Sequence, residues 1–236
     1  MSNKDLENEA KSAGAVMGQA GMWKEMRENL SKELGSGDPQ WLKREQRRLE
    51  AERERKADYS RELLWKACIP ARHSLVTPVN KGPWYEMYAT IEAKLGTGLL
   101  VALVSPRGSG KTQMGVELIK AMARKQASGR YITATGFLLM VKSTYKSDEK
   151  MTERGVIDQF RHPKLLVIDE LSKRKDTEWE FQLLFELINC RYNDMTDTIL
   201  ISNQTPVQFA ESVGPSLSSR MKETGGIIEC GWESYR

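Results

Sequence analysis

The stretch Ser105-Pro106-Arg107-Gly108-Ser109-Gly110-Lys111-Thr112 constrains this chain more than any other. It lies between an apolar run, Leu99–Val104, that reads as a buried strand and a segment, Lys111–Arg124, that reads as a helix. A strand, a glycine-rich loop closing on Lys-Thr and a helix form the setting of a phosphate-binding P-loop. Gly108 and Gly110 accept backbone angles closed to residues with a side chain. The loop amides can therefore turn inward on phosphate oxygens, and the helix N-terminus adds its positive dipole end. The expected nucleotide contacts are Gly108, Ser109, Gly110, Lys111, Thr112 and Gln113. Lys111 can reach the β- and γ-phosphates, and the Thr112 hydroxyl suits Mg²⁺. The loop departs from the usual pattern at its first position, where Ser105 replaces glycine.

A second apolar run, Leu165–Ile168, ends in Asp169-Glu170, about 57 residues after Thr112. Strands alternate with helices between and after these points. The expected elements are a helix over Trp84–Leu95, a strand at Tyr131–Thr133, a helix over Gly136–Tyr145, a helix over Glu178–Tyr192, a strand at Thr198–Ser202, a helix near Pro206–Val213 and a last strand at Gly226–Cys230. Such alternation implies an α/β domain with a parallel sheet covered by helices on both faces. Ligands of these sheets bind at the C-terminal strand edge. There Asp169 would hold Mg²⁺ and Glu170 would orient or deprotonate a water. The expected cofactors are thus ATP and Mg²⁺.

Upstream the chain changes character. Residues 1–35 read as one or two helices with Met17, Met22, Trp23, Met26, Leu30 and Leu34 near one face. Gly35–Pro39 is a break. The charged run Trp41–Lys56 carries seven basic and four acidic residues, with pairs such as Glu52 and Lys56 that support a solvated helix. Ile69-Pro70 and Thr77-Pro78 favour extended backbone. The expected organisation is a helical, partner-binding segment over 1–60, a junction over 61–80 and a nucleotide-binding domain over 81–236.

Bulk properties exclude several classes. Net charge is +4 in 236 residues, divided evenly, so no basic tail marks a nucleic-acid binder. Cys68, Cys190 and Cys230 are far apart and odd in number, which fits reduced thiols better than a disulfide frame. With only His73 and His162, no zinc spacing exists. The polar N-terminus is unlike a signal peptide, and Leu99–Val104 is far below the ~20 residues of a membrane span. A cytoplasmic protein without a membrane partner is expected.

The P-loop, Lys164–Glu170, Thr198–Asn203, the ending Gly231-Trp232-Glu233-Ser234-Tyr235-Arg236 and the junction Ala67-Cys68-Ile69-Pro70-Ala71-Arg72 together resemble the DnaC-type replicative helicase loaders and their IstB-type transposition relatives. These are AAA+ ATPases, and the likeness covers roughly residues 65–236. The resemblance implies that Asn203 is a sensor of the γ-phosphate or the lytic water. It implies that Arg220 completes the nucleotide site of a neighbouring subunit in a homo-oligomer, and that Arg236 acts in cis as a second sensor. It implies an abbreviated plan, without a helical lid or the C-terminal helix-turn-helix of an origin-binding initiator. The N-terminal segment would grip a hexameric replicative helicase, and the ATPase domains would engage single-stranded DNA. Lys142, Lys146, Arg161 and Lys173-Arg174-Lys175 are the basic candidates for that contact. Two other functions remain open: an IstB-type ATPase acting on duplex target DNA, and a nucleotide-switched adaptor with little turnover, which Ser105 motivates.

Overall fold

The computed structural model describes residues 40–78, 81–145, 152–173 and 178–232. The expected helices of residues 1–35, the basic residues Lys146, Arg174 and Lys175, and Arg236 lie outside them. Helix α1 runs over Gln40–Lys66. The boundary between two compact units falls inside it, between Glu54 and Arg55. Of the first unit only residues 40–54 are described, as the N-terminal half of α1.

The second unit is built on five parallel strands: β1 Leu100–Val104, β2 Gly129–Thr133, β3 Leu165–Asp169, β4 Asp197–Ser202 and β5 Gly226–Glu229. Their order is β2-β3-β4-β1-β5. Helices α2 Pro83–Lys94, α3 Lys111–Arg124, α4 Ala134–Ser143, α5 Glu153–Arg161, α6 Glu178–Asn193 and α7 Pro206–Thr224 connect and cover them. β1, β3 and β4 are buried along their whole length because alternate residues serve opposite faces. Leu100, Ala102, Val104, Leu166, Ile168 and Leu200 pack in one layer with Phe137, Phe160, Leu187 and Phe209 of α4–α7. Val101, Leu103, Leu165, Val167, Ile199 and Ile201 pack in the other with Trp84 and Ile91 of α2 and Met114 and Leu118 of α3. Gly115 explains how closely α3 lies on the sheet: a Cβ there would come within 2.9 Å of a Val167 methyl. The Ala67 carbonyl, just past α1, accepts from Tyr131 N at 2.8 Å and ties the C-terminal end of α1 to the edge strand β2.

Several boundaries differ from the sequence reading. The stretch between Tyr145 and Leu165 carries an unexpected helix, α5, started by Thr152, whose hydroxyl accepts from Gly155 N. Only Val156 and Phe160 of α5 are buried, too few to print a helical period on the sequence. β2 begins two residues earlier than expected, and α4 opens at Ala134, capped by Thr133. The last helix runs past Val213 to Thr224, bent at Gly214-Pro215, where Gly214 takes φ 76°. Proline opens its second half without penalty because the first turn of a helix needs no intrahelical N–H. Among the described residues, no helix is long and apolar enough to cross a membrane.

Candidate nucleotide site

The ends of β1, β3 and β4 lie side by side in the sheet, so the loops that follow them meet at one edge. They line a cavity of about 560 Å³, bounded by Arg107, Gly108, Gly110, Lys111, Thr112, Gln113, Asp169, Glu170, Ile201 and Asn203. Arg72, His73 and Val76, from the junction before α2, also line it.

Gly110 sits at φ 76°, a left-handed conformation costly for other residues, and α3 begins at Lys111 directly after it. Two tryptophans fix the loop's orientation. Trp84 Nε1 donates to Gly110 O at 3.2 Å and Trp232 Nε1 to Ser109 O at 2.7 Å. The carbonyl and N–H of a trans peptide point opposite ways. These bonds therefore turn the Gly110 and Lys111 amides away from the indoles.

The Lys111 side chain is buried, the residue being 5% exposed, and its ammonium faces the loop. It donates to Ser105 O at 2.8 Å, Ser105 Oγ at 2.9 Å, Pro106 O at 2.9 Å and Ser109 Oγ at 3.3 Å. Ser105 Oγ also lies 2.6 Å from Ser109 Oγ. The serine at the first loop position thus supplies two of the oxygens that hold the lysine. Burial holds the Lys111 ammonium below the ordinary lysine range, against the opposing pull of Cys230 and Asp169.

Asp169 is 4% exposed. Its Oδ2 accepts from Thr112 Oγ1 at 2.7 Å and from Tyr131 OH at 2.9 Å, and its Oδ1 from Glu170 N at 2.6 Å. Burial, with the nearby Asp169 and Glu170 carboxylates, pushes the Tyr131 phenol well up, so that it stays an O–H donor. Glu170 follows β3 at φ 59°, a strained conformation for a residue with a side chain. Asn203, after β4, reaches the same cavity.

Of the expected site residues, Gly108, Gly110, Lys111, Thr112, Gln113, Asp169, Glu170 and Asn203 line this one cavity, and Ser109 sits behind Lys111. Arg220 is not among the lining residues. It stands on α7, where it donates to Asn189 Oδ1 and lies 5.1 Å from the Tyr192 ring and 5.8 Å from the Phe185 ring. Of the basic candidates for DNA contact, Lys142 is paired with Glu180 at 3.2 Å and Arg161 with Asp194 at 2.6 Å. Sequence reasoning missed Arg72, His73, Val76, Tyr131 and the two clamping tryptophans. Each reaches the site by a contact distant in the chain, and no local spacing marks it.

The family model described as IstB-like ATP binding protein matches residues 97–236. The replicative helicase loader DnaC of Escherichia coli K12 is 20% identical over 130 residues, which are 55% of this chain and 53% of that protein. A Mycobacterium tuberculosis protein named for ATP binding in an insertion sequence is 29% identical over 147 residues, 60% of this chain and 57% of that one. The chain spans about half the length of the curated relatives it matches. The crystal structure of the DnaC helicase loader shares the fold, with a TM-score of 0.55 at 18% identity over 70% of this chain and 97% of that one.

Proposed function

The chain belongs to the IstB-like ATP binding protein family, and on that premise we propose that it is a cytoplasmic, oligomeric AAA+ ATPase that loads a hexameric replicative helicase onto single-stranded DNA. The observation that carries the ATPase reading is the convergence of Lys111, Thr112, Asp169, Glu170 and Asn203, from the ends of three neighbouring strands, on one cavity.

The donor set fits Mg²⁺. Thr112 Oγ1 and Asp169 Oδ2 are hard oxygens 2.7 Å apart. Among the described residues no cluster of three or more His, Cys, Asp or Glu side chains could hold an ion by itself. Such a sparse set suits an ion that keeps waters and shares the substrate's phosphates. Thr112 and Asp169 would hold the ion, which would supply charge neutralisation to the phosphates. Lys111 exchanges its loop oxygens for phosphate oxygens, gaining charge-assisted bonds. Tyr131 keeps Asp169 aimed at Thr112 throughout. Glu170 orients the attacking water and takes its proton, and Asn203 can donate to the γ-phosphate or accept from that water. Arg220 of an adjacent subunit completes the site, its planar fork suited to phosphate oxygens.

The loader reading is supported by the likeness to DnaC over 130 residues. A second reading, a transposition helper acting on duplex DNA, is supported by the family description and by the insertion-sequence relative, the more similar of the two at 29%. Co-purification of the full chain with a hexameric helicase, together with ATPase assays on single-stranded and duplex DNA, separates them. The loader forms a stable complex and is stimulated by single strands. Duplex stimulation without helicase affinity would replace the loader reading with the transposition one.

A further inference from the structure

Arg72, His73 and Val76 line the same cavity as the phosphate-binding loop without belonging to it, so a nucleotide whose phosphates take the loop has them as candidate contacts for its base. A chain of hydrogen bonds fixes what His73 can offer there. Glu117, 7% exposed, accepts from Lys120 Nζ at 2.8 Å and from Gln113 Nε2 at 2.8 Å. The same Gln113 nitrogen donates to His73 O at 3.0 Å. A carboxylate and a carbonyl can only accept, so the amide nitrogen must face them and Gln113 Oε1 must face the other way. Oε1 lies 2.9 Å from His73 Nδ1. An amide oxygen has no proton to give, so Nδ1 carries the ring proton. The neutral ring is then left with Nε2 as a bare acceptor.

We propose that His73 Nε2 reads the base, accepting a hydrogen bond from the exocyclic amine of adenine, and that Glu117 and Gln113 act as positioning residues that set its tautomer. Guanine would set its O6 lone pairs against the Nε2 lone pair, so the arrangement selects adenine nucleotides by an attraction and a repulsion together. Lys120 pairs with Glu117 at 2.8 Å, and through Val76 O at 3.4 Å it also ties the junction to α3. The proposal rests on the nucleotide reading of the site.

The test is equilibrium binding of ATP, purine riboside triphosphate (which lacks the amine) and GTP, each with Mg²⁺, to the full chain and its variants. Wild-type protein should prefer ATP to purine riboside triphosphate by about tenfold, the worth of one well-made hydrogen bond in a closed site, and should bind GTP more weakly still. His73→Ala should bring the first ratio close to one while leaving affinity for purine riboside triphosphate within about twofold. Gln113→Leu should lower the ratio too, although the imidazole is intact, which a merely structural role would not do. Equal wild-type affinity for ATP and purine riboside triphosphate would overturn the proposal whatever the variants do. So would a ratio that survives His73→Ala, or a parallel loss for both ligands in that variant. A wild-type protein that binds none of the three, or whose binding is indifferent to Lys111→Ala, would instead bring down the nucleotide reading, and this proposal with it.

Discussion

Two buried cations at opposite ends of the sheet are held in much the same way. Arg191, fully buried, lies where β3 and β4 begin, and donates to the carbonyls of Phe160, Arg161, Pro163 and Asp197 and to Thr198 Oγ1. Lys111 lies where β1 ends, and donates to two carbonyls and two hydroxyls of its own loop. Burial lowers both, Arg191 to about 10. The acids beside them differ. Asp197 accepts from Gly96 N, Gly98 N and Leu99 N, so that its oxygens are taken up by backbone. Asp169 accepts from two hydroxyls and one amide, and it lines the cavity together with Lys111. The same chemistry thus serves two ends. A shell closed by the fold locks the strands together, whereas a shell open on a cavity can be exchanged for that of a ligand. Arg220 is a third case, half-buried against one amide and two rings, and the proposed function assigns it to the site of a neighbouring subunit.

That ordering can be broken at each point. Arg220→Ala should leave ATP affinity within about twofold but cut hydrolysis by ~10³ or more, the range of a transferred arginine. Mixing it with Glu170→Gln should restore part of the rate, since one subunit then supplies each missing group. No recovery at any mixing ratio would move Arg220 into the closed class with Arg191. Arg191→Ala should cost about 3–5 kcal/mol of unfolding free energy in urea, because it leaves Asp197 and several carbonyls without their cation, while the folded fraction still binds ATP. A loss below about 1 kcal/mol would show that the shell is not what holds these strands. The smallest effect is one of pH. Lys111 has a folded pKa below its unfolded value of 10.5, so above the folded value the unfolded chain binds more protons. Stability relative to Lys111→Met should then rise with pH across the window that ends at 10.5, read as a pH series of unfolding midpoints.

The open edge was more legible in the sequence than the closed one. A P-loop carries its chemistry in eight consecutive residues, and Leu165–Glu170 shows both a buried run and the two acids that follow it. Fully covered parallel strands write continuous apolar runs, so β1, β3 and β4 were readable with their order of alternation. No local pattern marks Arg191, because its five acceptors come from two other stretches of chain, 160–163 and 197–198. His73 fell within a segment expected to be a plain junction. Its part in the site comes from Gln113, 40 residues on, and only the closing of that segment onto α3 brings the two together. The kink at Gly214-Pro215 read as an end because Gly-Pro stops most helices.

Nucleotide binding at the open shell requires Lys111 to exchange its loop oxygens for phosphate oxygens. Equilibrium binding of ATP with Mg²⁺ to wild-type protein and to Lys111→Ala, with thermal unfolding of both in the absence of ligand, measures this directly. Affinity should drop roughly 100-fold or more, the loss of charge-assisted bonds to two phosphates, with the unliganded midpoint moved by only a few degrees. Equal affinity in the two proteins, or a variant that fails to fold as Arg191→Ala is expected to weaken folding, would contradict it.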